Sequence, residues 1–436
     1  MKIKFGISTA VSIVVANMIG TGIFTSLGFQ VIDIKSGFAL LSLWLIGGIS
    51  ALIGALAYAE LGTAMPRSGG EYHFLSRIYH PVLGFMAGWI SFIIGFTAAT
   101  AAAAMALGAY FTSALGIEAT FLSLGLDKII AIGVIFLLVA LHSSNKIVGA
   151  YFQNAFTAIK VIALLILIVI GITTDVNQPI SFAVNKESLK EIISPAFAIS
   201  LFFVSYSYSG WNAAAYIAGE IEKPGKNLPR ALIIGTLIVT LLYVFTTYIF
   251  LKVIPINEMA GKIEIGYLFG NQIFTANTST IMGLVFSVLL LSTVSSMIIT
   301  GPRVTMVMGE DYKMLKWFAK ITGREIPVRA IIILGVISVL YILTSTFEQV
   351  ITLIGFTLNL FTLLTVLGLI INRKKNPGLS RPFKMKLYPV LPVIFILINL
   401  WILVYGLIYR PVESIAGILI AAAGGLFYLI AKKNKN

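Results

Sequence analysis

Apolar residues in this chain neither line one face of a helix nor alternate along a strand; they fill whole windows. Twelve such runs fall at about residues 6–32, 36–62, 82–114, 127–144, 147–173, 192–219, 230–253, 279–308, 328–344, 347–371, 387–408 and 412–431. A helix crosses the hydrocarbon of a bilayer in about 20 residues, and the strand-length alternation of a membrane β-barrel is missing. The pattern predicts an all-α integral membrane protein with twelve transmembrane helices, termed spans 1–12 here.

Two of the runs are interrupted at their centres. Span 1 reads VVANMIGTGIFTS over 14–26, and span 6 reads SYSYSGWN over 205–212. Glycine weakens a helix, and a backbone group left bare in lipid must find a partner. Single glycines also serve close packing between membrane helices, but two breaks at matching places favour a binding role. Gly20 and Gly210 are 190 residues apart, and spans 1–5 and 6–10 read as two copies of one unit. Five is an odd number, so the second copy enters the membrane upside down, as in transporters built from inverted repeats with broken helices. The expected organisation is a five-helix repeat over 1–175, an inverted one over 188–373, two additional helices in 386–431 and a cytoplasmic tail at 432–436. After spans 2 and 7, GGEYHFLSRIYH (69–80) and GKIEIGYLFGNQIF (261–274) are expected to form short amphipathic helices along the membrane faces.

Composition strengthens the membrane reading. The 436 residues are 58% hydrophobic and 11% charged, with a mean hydropathy of +0.98, against about 25% charged in soluble domains. A net charge of +14 could suggest nucleic acid, but its distribution points elsewhere. With the N-terminus inside, the cytoplasmic loops and termini hold 23 of the 31 Lys and Arg residues, and the opposite loops hold 7. This is the positive-inside pattern of an inner or plasma membrane protein with both termini cytoplasmic. The first run is too long, and too poor in small residues at a cleavage site, to be a removable signal peptide. Cysteine is absent, which excludes thiolate chemistry, thiolate metal sites and disulfides. The three histidines, His73, His80 and His142, have no metal-ligand spacing, and no phosphate loop for ATP is present. No metal and no cofactor are expected.

NMIGTGIF in span 1, YAELGTAMPRSGGEYHFL (58–75) and YSGWNAAAYIAGEIEKPGKNLPRA (208–231) together resemble the amino acid–polyamine–organocation (APC) superfamily. The resemblance is to the bacterial relatives of its L-type amino acid transporter branch. It implies a secondary transporter of amino acids that works by alternating access. The eukaryotic exchangers of that branch use a cysteine for a disulfide to a single-span partner subunit, so this chain is expected to need no such partner.

The resemblance and the chemistry of a zwitterion place the substrate at the breaks. A broken helix offers free N–H groups and a positive dipole end to a carboxylate, and carbonyls to an ammonium. Thr21 and Gly22, with Gly20 beside them, are expected to supply N–H groups. The carbonyls of Met18, Ile19, Tyr206 and Ser207, with the backbone around Ser209, would face the ammonium. Tyr206 matches the family's aromatic that closes over the substrate, and Trp211 and Asn212 are secondary candidates for the side-chain pocket. Glu60, Arg67, Glu220, Glu222 and Arg230 fall near cytoplasmic span ends and are expected to form a gating or topological salt-bridge network.

Lys160 is the one charge deep within a run. Counted from Lys146 at the inner edge of span 5, it lies roughly 21 Å along a helix. A lysine there costs about 3 kcal/mol, so it should face protein acceptors. In the family a lysine on span 5 goes with sodium independence, its ammonium standing where sodium-coupled relatives hold a cation. The expected acceptors are carbonyls near Gly20 and Ser295 or Ser296 of LLLSTVSSMIIT in span 8. No acid or arginine lies in the sequence at either break, which favours neutral amino acids. A proton-coupled symporter, a sodium-coupled symporter, a non-transporting amino acid receptor and a membrane-embedded enzyme are the alternatives. The last would need a nucleophile, metal set or carboxylate pair inside the spans, where Lys160 is the only deep charge.

Overall fold

The structure, a computed structural model, describes residues 5–121, 123–144, 147–176, 178–319 and 327–432; Lys146 lies outside them. Span 1 is α1 (Ile7–Met18), α2 (Gly22–Thr25) and α3 (Leu27–Asp33), followed by α4 (Gly37–Ala64), α5 (Gly70–Ile78) and α6 (Pro81–Ile90). A π-helical turn, Ser91–Phe96, leads from α6 into α7 (Thr97–Leu115). The two-residue strands β1 (Thr120–Phe121) and β2 (Leu124–Gly125) pair antiparallel before α8 (Leu126–Ser144) and α9 (Ile147–Thr173). The second half runs α10 (Lys186–Ile192), α11 (Pro195–Tyr208), α12 (Ala213–Tyr216), α13 (Pro224–Val253), α14 (Ile256–Met259), α15 (Ile265–Ile273) and α16 (Ala276–Asp311). It closes with α17 (Lys316–Ala319), α18 (Val328–Thr344), α19 (Phe347–Lys375), α20 (Val390–Tyr409) and α21 (Pro411–Lys432).

Among the described residues nine helices are long and apolar enough to cross a bilayer, and ten if α10 and α11, bent by 60°, form one span. Two shorter apolar segments, Ala158–Thr173 and Val328–Thr344, fall in the runs read as spans 5 and 9. The chain is a multi-pass membrane protein.

Local chemistry sets the helix ends. Ser194 caps α11 by accepting from Phe197 N (3.2 Å) with Pro195 in the first turn, and Thr346 and Gln349 form a capping box on α19. The core follows from small residues. The alanine run of α7 is buried along its length, so α7 lies close against α16, while α4 packs along α13 and α1 rests on α13. Both segments expected as short amphipathic helices are helices of nine residues, α5 and α15.

Candidate functional site

Both breaks form where the glycines stand. The ladder of α1 stops at Ile19, whose ψ of 85° leaves the helical region. Gly20 N turns back to Met18 O (2.8 Å), and bonding resumes with Phe24 N to Thr21 O (3.0 Å). The N–H groups of Thr21, Gly22 and Ile23 thus precede the new ladder and point along its dipole axis. In span 6, α11 ends with Ser209 N donating to Tyr206 O (3.0 Å). Gly210 follows at φ +103°, and a Cβ there would sit 2.7 Å from the carbonyl of Asn17. Only glycine suits both the backbone angle and the contact.

The breaks meet. Thr21 Oγ1 and Tyr206 OH are 2.5 Å apart, and Ser26 Oγ and Ser207 Oγ are 3.1 Å apart. Thr21, Tyr206 and Ser207 are buried. Gly22 lies directly against Ser207, since a Cβ on it would come within 2.5 Å of the Ser207 Cα. Gly20 is looser, its nearest side-chain neighbour being Thr293 Cγ2 at 3.6 Å from such a Cβ.

The carbonyls assigned to the substrate ammonium have protein donors in this conformation. Tyr243 OH, on α13, lies 2.6 Å from Met18 O and 3.1 Å from Ser207 O, between the C-terminal ends of α1 and α11. Lys160 Nζ donates to Ile19 O (3.4 Å) and to Thr293 Oγ1 (2.7 Å). A phenol and an ammonium thus meet the negative ends of the two half-helices. Met18 O also accepts from Gly20 N, so its two lone pairs are taken, whereas Ile19 O and Ser207 O each keep one and the cage retains acceptor capacity there.

One expectation needs correcting. The span 8 hydroxyl that meets Lys160 is Thr293, not Ser295, whose Oγ lies 2.9 Å from His142 Nε2 on α8. Two residues turn a helix by about 200°, so Ser295 faces α8 while Thr293 faces α9. Ser296 is also buried on α16, nearly one turn beyond Thr293.

The family follows from comparison with known proteins. A family model described as "Amino acid permease" matches residues 5–430. The chain belongs to the amino acid permease family. It is similar to mouse "b(0,+)-type amino acid transporter 1", 28% identical over 98% of this chain and 87% of that protein. It is also 28% identical to human "Large neutral amino acids transporter small subunit 2", over 99% of this chain and 80% of that one. Both names describe transporters, and the permease is not an enzyme.

At the opposite end of the permease from α15, acids and bases pair, but not as one network. Glu60 is fully buried; it accepts from Arg373 Nε (2.7 Å) and Met385 N (2.7 Å), and Arg381 Nε lies 3.4 Å away. Arg67 binds Asp311 (3.1 Å), which also accepts from Tyr72 OH (2.5 Å). Glu222 lies beside Lys223 on the surface, and Glu220 contributes its backbone carbonyl to Phe5 N (2.8 Å). Of the expected network, Glu60 and Arg67 thus sit in separate pairs, with residues of α19 and the 376–389 loop for Glu60 and of α16 for Arg67. Among the described residues no cluster of His, Asp and Glu is arranged to hold a metal.

Trp211 stacks edge-on against Tyr58 (4.7 Å), and Asn212 Nδ2 donates to Glu71 Oε1 (3.2 Å). Tyr243, Thr293 and Glu71 escaped sequence reasoning. Seventeen tyrosines hide one, and four hydroxyls within five residues of span 8 are separated only by helix phase. Glu71 reaches the break only through the fold of α5.

Proposed function

We propose that this permease is a sodium-independent secondary transporter of neutral L-amino acids, working as an exchanger or facilitator by alternating access. The observation that carries the reading is Lys160. Its ammonium joins the span 1 break at Ile19 O to span 8 at Thr293 Oγ1, taking the place a coupling cation would need. The substrate carboxylate is bound by the N–H groups after Gly20, its ammonium by the carbonyls at the ends of α1 and α11, and Tyr206 closes over it. Tyr206 bonded to Thr21 is in keeping with a closed gate. Matching breaks and matching nine-residue helices support a twelve-span chain with a 5+5 inverted repeat. The basic loops support cytoplasmic termini in an inner or plasma membrane. The lack of cysteine supports operation without a disulfide-linked subunit.

The test is counterflow in proteoliposomes with the twenty amino acids as competitors, in sodium and again in choline. Neutral amino acids should compete and the rate should not change with the cation. A sodium requirement would overturn the mode, and no counterflow of any amino acid would overturn transport itself.

A further inference from the structure

Among the described residues, Glu71 is an acid buried without a cation beside it. Two glycines put it there. Gly69 and Gly70 take φ of +121° and +50°, and Gly69 N donates to Tyr216 O (3.1 Å). A Cβ on Gly70 would lie 3.0 Å from the Tyr216 ring. This turn seats the first turn of α5 against α12, the inner half of span 6, and leaves Glu71 2% exposed. Its Oε1 accepts from Tyr58 OH (2.6 Å) and from Asn212 Nδ2 (3.2 Å).

Among the described residues, the groups facing this carboxyl are neutral. From α4 comes Tyr58, from α12 Tyr216, and from α19 Thr365, which bonds to Tyr58. The sequence of α6, PVLGFMAGWI, contains no titratable residue. Of the charges on and beside these elements, Glu60 pairs with Arg373 and Arg381, Arg67 with Asp311 and Glu348 with Arg410, while Lys374 and Lys375 are exposed. On α5 itself Tyr72 bonds to Asp311, His73 lies near Arg67 and Arg77, and Arg77 is exposed. A carboxylate so placed has lost water and gained no opposite charge, which favours its neutral form.

We propose that Glu71 is a proton-binding site of the transport cycle. Its carboxyl takes a proton from water at the cytoplasmic side and keeps it while Asn212 and the inner half of span 6 rest on α5. The proton returns to water when they part. The link to transport rests on the proposed function; the proton site itself does not.

Burial raises the Glu71 carboxyl from its ordinary 4.5 to about 7. The docked arrangement binds the extra proton, so it is favoured at low pH and weakened as pH rises. The effect is about tenfold per pH unit between 4.5 and 7, and flat above that.

The purified full chain tests this by infrared difference spectra taken between about pH 5.5 and 8. Wild type should show a protonated carboxyl band that is lost as pH rises through about 7, and Glu71→Gln should lack that band. Counterflow in proteoliposomes should vary severalfold with internal pH in wild type and be flat in Glu71→Gln. If the glutamine variant does not fold, Glu71→Asp should move the midpoint of the band. A band and pH profile unchanged by either substitution would overturn the proton site. Absence of counterflow at every pH, with the band intact, would instead overturn the transport reading.

Discussion

Single atoms decide what the span 1 break can do. Lys160 has two acceptors on different elements, so it holds the break against α16. In the proposed alternating-access cycle that link must break and re-form as one set of helices moves against the other. Lys160→Ala should therefore slow exchange strongly while changing equilibrium amino acid affinity less. Thr293→Val removes the shorter of the two bonds and, at about 1–3 kcal/mol for a buried group left unpaired, should do the same in milder form. Ser295→Ala should leave exchange much less affected, since its bond is to His142. Exchange rates for the three variants, beside equilibrium binding, check the order; a normal rate in Lys160→Ala would sink it. The glycines separate in the same way. Gly22→Ala drives a methyl into the Ser207 backbone, and overpacking of this kind costs about 1–3 kcal/mol, so its melting temperature should fall. Gly20→Ala has room and should melt like wild type.

Whole elements show how the breaks are carried. Phe5 pairs with Ile221 as a parallel bridge, Phe5 N to Glu220 O and Glu222 N to Phe5 O. This ties the start of α1 to the segment after α12, so the beginning of span 1 and the end of span 6 are joined. Facing them, the 376–389 loop is drawn under α4 by Glu60, whose carboxylate meets Arg373, Arg381 and Met385 N. Arg373 also stacks on Tyr388, 3.8 Å from its ring centre. Losing one partner of a buried ion pair costs about 3–5 kcal/mol. Arg373→Ala should sit near the lower end, because Arg381 and the Met385 N–H remain. Thermal melting should show a clear loss, partly restored when Glu60→Gln is added to the same chain. A melting temperature equal to wild type would mean that the loop is not held through Glu60.

At the scale of the molecule the expectation is about sidedness. A chain without native cysteine reports single introduced thiols without background. Phe121, 67% exposed at the end of β1, and Asn376, just after α19, are predicted to face opposite sides. In intact cells Phe121→Cys should react with impermeant thiol reagents and Asn376→Cys only with permeant ones. The reverse pattern at either position would overturn the orientation read from the charges.

Hydropathy alone was enough to find the long apolar helices, nine or ten of them among the described residues, because in lipid a spanning chain must bond its own backbone and long apolar runs leave little choice. The two breaks were equally legible: Gly20-Thr21-Gly22 and Ser209-Gly210 are local interruptions of a local rule. That Lys160 needs protein acceptors followed from its place within an apolar run, and it is buried with two of them. Its partner on span 8 did not follow, since Ser292, Thr293, Ser295 and Ser296 are chemically alike, and only the rotation of α16 against α9 selects Thr293. Tyr243 gained its place between Met18 O and Ser207 O from the packing of α13 on α1. Glu71 carries no signal of its own in the sequence; Gly69 and Gly70 turn α5 onto span 6 and bury it there. Covalent neighbours determine where a helix forms and where it breaks; which polar groups meet across the breaks depends on helix phase and packing, which only the tertiary structure decides.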